Sequence, residues 1–597
     1  MRLGVAGLLP AVVAVLALAP AARADNLSSR HLTAAGQVIR WTGSYPDPTG
    51  QGYNPATDSA CTPGSAAAPA NVCDIFTIQV DLDLPYALKA PVNPAPPGLN
   101  KLQQYPQMPG DGLLVSVKWP TDFDQWNLYV DGTSGNPANP LCQGATACGL
   151  DLDSNSQSVL VTPPAGAVTS NATHWHSTYT VKVVAFYTDF DPSGVDKSYS
   201  GEAQLFLDPS QRKAGPARPM LPRIHTMAPN NFHLSDIPPV PSNPTGWRYT
   251  PTGTFAGPLN NSCYLDETIQ FGSTKCLRFD NDVRNVGEGP LALEFNYNAA
   301  ALQTALQQVP VPAELSGDCQ MNQELLSTDA TSSLRDAGPC VFHTQHMHFH
   351  YQNFGRYQLF GVGPDGNPHA TPVPGTTPSA KPVSIARKVG FCTIDVDNYT
   401  FGMPASMQRP RTYSFPTCNV PNGYASPGAS AVGPSSQYVG TPEFMGISAG
   451  WGDIYTWDLP AQYIDISTVP DGTYEVVSST NFDGKLQTSD RSQETGVTCV
   501  QLTTDATGAT SIRTIEEFPS QANDAPLPSC AVKAAATTSA GNRSVPVSGG
   551  AGSLPDTAAT ALPAVPTARV LAWLIPVIAM AAILAALAQS GVRNRTK

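Results

Sequence analysis

Residues Cys340 to Tyr357 read CVFHTQHMHFHYQNFGRY, and four of the chain's ten histidines, His343, His346, His348 and His350, fall within this stretch. The last three alternate strictly with Met347 and Phe349. Successive side chains of an extended strand point to opposite faces, so the spacing predicts a strand with an imidazole face and an apolar face. On a helix the same three histidines would fan around the axis. Neutral imidazole suits copper, zinc, iron and nickel, and copper(II) heads the divalent affinity order at nitrogen sites. Residues i and i+4 of a straight strand lie ~13 Å apart, which strains the reach of two imidazoles with metal bonds of ~2 Å. The strand must therefore curve or bulge, or one histidine is not a ligand; His343 is the reserve.

The rest of the chain is patterned for strands as well. Phe76, Ile78, Val80 and Leu82 alternate with polar residues, as do Val115, Val117 and Trp119, then Tyr179, Val181 and Val183, then Ala203, Leu205 and Leu207. Period two with one polar face predicts half-buried antiparallel strands and a β-sandwich over residues 25–209. Its pattern resembles the jelly-roll modules found beside secreted bacterial enzymes. His174-Trp175-His176 has the spacing of a metal pair, but without a third ligand it is not read as a site. The proline-dense stretch 210–245 predicts a semi-rigid connector. A second all-β domain is expected over 246–505, with one helical candidate at Ala299 to Gln308. With 58 prolines, 49 glycines and only 13% charged residues, short strands and tight turns are favoured over long charged helices. The formal net charge of -13 argues against a nucleic-acid partner.

Both ends carry export features. Arg2, the apolar run Leu3 to Ala19 and Ala22-Arg23-Ala24 form a secretion signal over 1–24. Residues 506–567 are expected to form a flexible stalk. The apolar run Val570 to Ala588 predicts a C-terminal transmembrane helix over 568–590, and Arg593, Arg595 and Lys597 place the tail 591–597 in the cytoplasm. Leu554-Pro555-Asp556-Thr557, with Ala558 after it, resembles a bacterial cell-wall sorting signal; covalent wall attachment and a plain membrane anchor both stay open. All twelve cysteines lie between the two apolar ends, an even number that points to disulfides in an exported chain. Proximity suggests Cys61–Cys73, Cys142–Cys148 and Cys263–Cys276.

Three segments of the second domain, taken in order, resemble the lysyl oxidases. His343-x-x-His346-x-His348-x-His350-Tyr351 is similar to that family's copper-binding strand. Arg387-Lys388-Val389-Gly390-Phe391-Cys392 is similar to its Lys-x-x-Phe-Cys segment. Gly446-Ile447-Ser448-Ala449-Gly450-Trp451-Gly452-Asp453-Ile454-Tyr455 is similar to its Gly-x-Ser-x-Gly-x-x-Asp-x-Tyr segment. Gln462 to Ile466 and Pro470 to Tyr474 follow in the same order, with Leu277-Arg278-Phe279 and Asn285 to Leu291 upstream. The likeness covers about 220 to 505. It departs at Phe342, where the family has tryptophan, and at Gln345, where animal members often have cysteine.

The resemblance implies a mainly β chain with a lysyl-oxidase-like β-sandwich catalytic domain. It implies copper held by His346, His348 and His350, and a lysine tyrosylquinone built from Lys388 and Tyr455. Cys392 and Cys418 would pair around the loop after Lys388. A carbonyl cofactor fits the chemistry, because no ordinary side chain is an electron sink for amine oxidation. Asp453, two residues before Tyr455, is the candidate general base. The expected activity is oxidation of lysyl side chains of surface or extracellular proteins, or of small primary amines, to aldehydes, with molecular oxygen consumed and ammonia and hydrogen peroxide released. A non-catalytic, metal-binding surface adhesin is the competing expectation. A metal hydrolase, which would not consume oxygen, is a third.

Overall fold

The computed structural model describes residues 30–45, 73–90, 109–119, 125–131, 133–134, 155–168, 173–186, 197–212, 215–234, 263, 272–298, 301–302, 304, 314–315, 319–343, 348–363, 366–369, 382–386, 390–413, 443–457, 459, 462–506 and 508–530. These are mainly β. In the N-terminal part, a five-stranded sheet runs in the order His31–Leu32, Cys73–Asp83, His174–Phe186, Gln125–Val130, Thr133–Ser134. A four-stranded sheet runs in the order Val38–Tyr45, Lys197–Phe206, Gly112–Lys118, Ser156–Val161. One apolar cluster draws Phe76, Ile78, Val80, Val181 and Val183 from the first sheet and Val115, Val117, Val159, Ala203 and Leu205 from the second. These are the period-two positions, so burial follows the pleat.

The polar positions behave differently. Ser116, Ser156, Ser158, Glu202 and Gln204 alternate with the core residues of the four-stranded sheet, yet all five are buried. The face expected to meet water is instead covered by residues 396–411 of the second part. Asn398 N donates to Ser156 Oγ at 3.1 Å, Arg411 N to Ser158 Oγ at 2.7 Å, and Gln408 Nε2 to Glu202 Oε1 at 2.6 Å.

The second part centres on the strand Cys276–Asn285, which pairs with Ile224–Thr226, Asn230–His233, Gly452–Tyr455 and Ile464–Asp465. A second sheet comprises Glu314–Leu315, Ser332–His343, Gln320–Leu326, Leu291–Asn296 and Glu443–Ile447, with His348–Tyr351 paired to Ser332–His343. A third comprises Pro368–His369, Gly355–Val362, Gly472–Thr480, Thr495–Thr504 and Thr510–Gln521. One large apolar cluster, from Leu277 and Phe279 through Phe349 and Tyr357 to Val476 and Val500, joins all three.

Two expected boundaries shift. The connector 210–245 contributes the strands Ile224–Thr226 and Asn230–His233, because its apolar Ile224 and Phe232 find partners on the Cys276–Asn285 strand and its cluster. The stalk's first residues also fold. Thr510–Gln521 pairs with Thr495–Thr504, and Cys530 is disulfide-bonded to Cys499. Of the helical candidate only Ala301, Leu302 and Thr304 are described. The secretion signal and the apolar run 570–588 lie outside the described residues, among which no helix is long and apolar enough to cross a membrane. Cys263–Cys276 pairs as proximity suggested. Cys319–Cys340 was not foreseen, and Cys61, Cys142, Cys148 and Cys418 lie outside the described residues.

Candidate active site

The histidine stretch folds as a hairpin edge. Ser332–His343 runs antiparallel to His348–Tyr351 in the register Val341↔His350, Phe342↔Phe349, His343↔His348. Phe342 and Phe349 are fully buried with ring centroids 5.2 Å apart, and Phe349 also packs on Phe295 and Tyr297. Phe349 is therefore anchored in the core, and by alternation position 350 falls on the other side of the strand. The register sets position 343 directly across from position 348, an adjacency that linear spacing does not reveal. His346 lies outside the described residues, so the described strand does not extend through all three predicted ligands.

His350 is buried at 2% exposure. Gly390 passes against it: a Cβ there would stand 3.0 Å from His350 Cβ and 3.6 Å from its Nδ1. The next residue closes a two-bond bridge to the histidine strand, with Tyr351 N donating to Phe391 O at 2.9 Å and Phe391 N to Tyr351 O at 3.2 Å. Lys388 lies outside the described residues.

Tyr455 arrives from a third direction, on the strand Gly452–Tyr455 paired to Cys276–Asn285. Its hydroxyl donates to Cys392 O at 2.5 Å, and its ring meets Phe391 edge-on at 4.6 Å. Phe391 also touches Tyr357 at 5.9 Å and Phe354 at 6.0 Å. Gln462 Nε2 donates to Tyr455 O at 2.8 Å, which fixes the end of that strand. Residues 390–392 thus touch both His350 and Tyr455.

Asp453 is 1% exposed and shares the strand face of Tyr455 by alternation. Beside it sits Tyr357, fully buried, its hydroxyl without a hydrogen-bond partner among the described residues. Burial first, and the charge of Asp453 second, hold the Tyr357 phenol well above its ordinary range. Sequence reading missed Tyr357; its one signal is its place in the alternating run Gly355–Val362. It missed Asp395 too. This fully buried carboxylate accepts the amides of Thr412, Tyr413 and Ser448 and the Ser448 hydroxyl, at 2.6 to 2.9 Å. Desolvation pushes it up to about 6 against the pull of those bonds. Asp395 thereby fixes Ser448, where the chain turns through Gly450 at φ 89° into the Tyr455 strand. Trp451 is buried in the core, whereas half-buried Trp457 stacks on His233 at 3.9 Å.

Elsewhere, His174 is occupied by carboxylates of the neighbouring strand, with Nδ1 at 2.9 Å from Asp83 and Nε2 at 2.9 Å from Asp81. Among the described residues no three His, Cys, Asp or Glu side chains group as metal ligands. Within the histidine stretch only His350 has a described side chain, and the glycine cradle beside it suits an imidazole held in a fixed orientation. No protein-family model matches the chain, and no curated protein is significantly similar to it in sequence.

Proposed function

We propose that the chain is an exported, copper-dependent amine oxidase resembling protein-lysine 6-oxidase. It would oxidise lysyl side chains of surface or extracellular proteins, or small primary amines, to aldehydes. In this reading the N-terminal pair of sheets is an accessory β-sandwich, the second part is the catalytic β-sandwich, and residues 568–590 hold the protein at the cell surface. One observation carries the reading. Residues 390–392, two to four positions after Lys388, bridge the His350 strand on one side and accept the Tyr455 hydroxyl on the other.

His346, His348 and His350 would hold copper, with His343 in reserve. Lys388 and Tyr455 would supply the lysine tyrosylquinone, which when formed provides the carbonyl electron sink that amine oxidation by oxygen requires. The remaining work falls to the chain's own side chains. Asp453 takes the proton from the carbon beside the substrate amine, its buried carboxylate sharing a strand face with Tyr455. Phe391, backed by Tyr357, covers one side of the Tyr455 ring and keeps water from it. Gln462 and Cys392 hold its two ends.

Phenylhydrazine titration of copper-loaded protein, with oxygen uptake on a primary amine, tests the proposal. Wild type should give a coloured adduct and consume oxygen, and Tyr455→Phe should do neither. Oxygen uptake without an adduct, or an adduct that persists in Tyr455→Phe, would overturn it.

A further inference from the structure

The N-terminal part is bonded directly to the frame of the candidate site. Lys118, at the end of the strand Gly112–Lys118, donates to Asp397 Oδ1 at 2.5 Å and to Asn398 O at 3.3 Å. Asn155 N donates to Val396 O at 3.3 Å, and Ser156 Oγ accepts the Asn398 amide. Residues 396–398 are therefore held from the N-terminal side by a cation, an amide and a hydroxyl in a row. On their other side they hold Gly452. Val396 N and Asp397 N both donate to Gly452 O, at 2.9 and 3.0 Å, and Gly452 N donates to Asp397 O at 2.8 Å. Asp453 follows immediately, and Tyr455 is three residues on.

Two further links run in parallel. Glu202 accepts Gly402 N at 3.0 Å and Gln408 Nε2 at 2.6 Å, while Trp451 Nε1 donates to Arg409 O at 3.0 Å. The contact region is charged as well as polar. Asp282, across from Ile454 in the ladder, is buried beside Asp397 and ion-pairs with Arg284. Lys118 lies near both the Asp282 and the Asp397 carboxylates, so its loss would leave their repulsion less balanced, which favours separation of the 396–398 segment from Gly452.

We infer that the four-stranded N-terminal sheet is a clamp on the candidate active site, and that Lys118 is a positioning residue that fixes Gly452 and so aligns Asp453 and Tyr455. The kinetic consequence rests on the proposed oxidase reading; the clamp itself does not.

Hydrogen–deuterium exchange on the full chain reads the clamp directly. In Lys118→Met the amides of Val396, Asp397 and Gly452 should exchange about tenfold faster, while Lys118→Arg restores protection. His174→Ala, on the other N-terminal sheet, should leave them unchanged. Ser156→Ala, which removes the hydroxyl that accepts the Asn398 amide and donates to Asn155 Oδ1, gives the same readout, with a smaller increase, should Lys118→Met not fold. On a primary amine, Lys118→Met should lower kcat by a similar factor with KM within about twofold. Unchanged exchange at Val396, Asp397 and Gly452 in both variants would overturn the inference. Absence of oxidase activity in wild type, with the exchange effect present, would count against the function and leave the clamp standing.

Discussion

The Tyr455 hydroxyl donates its hydrogen bond to the backbone carbonyl of Cys392, at 2.5 Å, across 63 residues of sequence. A backbone acceptor cannot rotate away, so the phenol is held against the backbone of Cys392. Phe391 packs its ring edge, and Gln462 holds the carbonyl of the same residue. Tyr455 is therefore fixed at both ends and on one face, the condition under which a side chain can be brought repeatedly to one reacting geometry.

Tyr455→Phe removes this bond to the Cys392 carbonyl. The expected loss is about 1 kcal/mol of stability, with complete loss of amine oxidation. Chemical denaturation together with oxygen uptake checks both. A variant that keeps oxidase activity would show that the phenol is structural.

Gly390→Ala tests the cradle of His350. The added Cβ would stand 3.0 Å from His350 Cβ and 3.3 Å from Tyr351 O, so the paired histidine strand must give by a few tenths of an ångström. The imidazole should be displaced and copper affinity should fall about 10- to 100-fold, as read by competition with a chelator. Affinity equal to wild type would separate Gly390 from the metal site.

Glu475 gives a pH prediction. It is fully buried on the strand Gly472–Thr480, and desolvation pushes its carboxyl up to about 8 from 4.5. The folded state thus holds a proton that the unfolded chain releases near 4.5, so this group's contribution to stability is complete below that pH and is lost as pH rises to about 8. Glu475→Gln should flatten the fall in Tm between pH 5 and pH 8 by several degrees. An identical fall in wild type and variant would contradict the assignment.

His174 offers a direct titration. Bonds to Asp83 and then Asp81 raise its imidazole above 6.5, and both ring nitrogens face a carboxylate only when both carry hydrogen. The NMR midpoint of His174 should lie above 6.5 and fall in Asp83→Asn. A midpoint at or below 6.5 would show that the bridge does not form in solution.

Much of this arrangement was legible in the sequence, and the reason is the pleat. Phe76, Ile78, Val80 and Leu82 are buried because one face of their strand meets a core, and Phe349 is buried in the core of the second part for the same reason. What pairs across strands was not legible. Nothing in the spacing sets His343 opposite His348, brings Tyr357 beside Asp453 or gathers Thr412, Tyr413 and Ser448 around Asp395. The polar residues Ser116, Glu202 and Gln204 misled for a physical cause: a polar sheet face reads the same whether water or a second polar segment covers it. The connector misread has a similar source, since proline density hides the two short strands at Ile224–Thr226 and Asn230–His233.

The most direct test of the central claim is mass spectrometry of a tryptic digest of copper-loaded, oxygen-consuming protein. The account predicts one species that joins the Lys388 peptide to the Tyr455 peptide. Recovery of both peptides separately and unmodified from the active enzyme would contradict it.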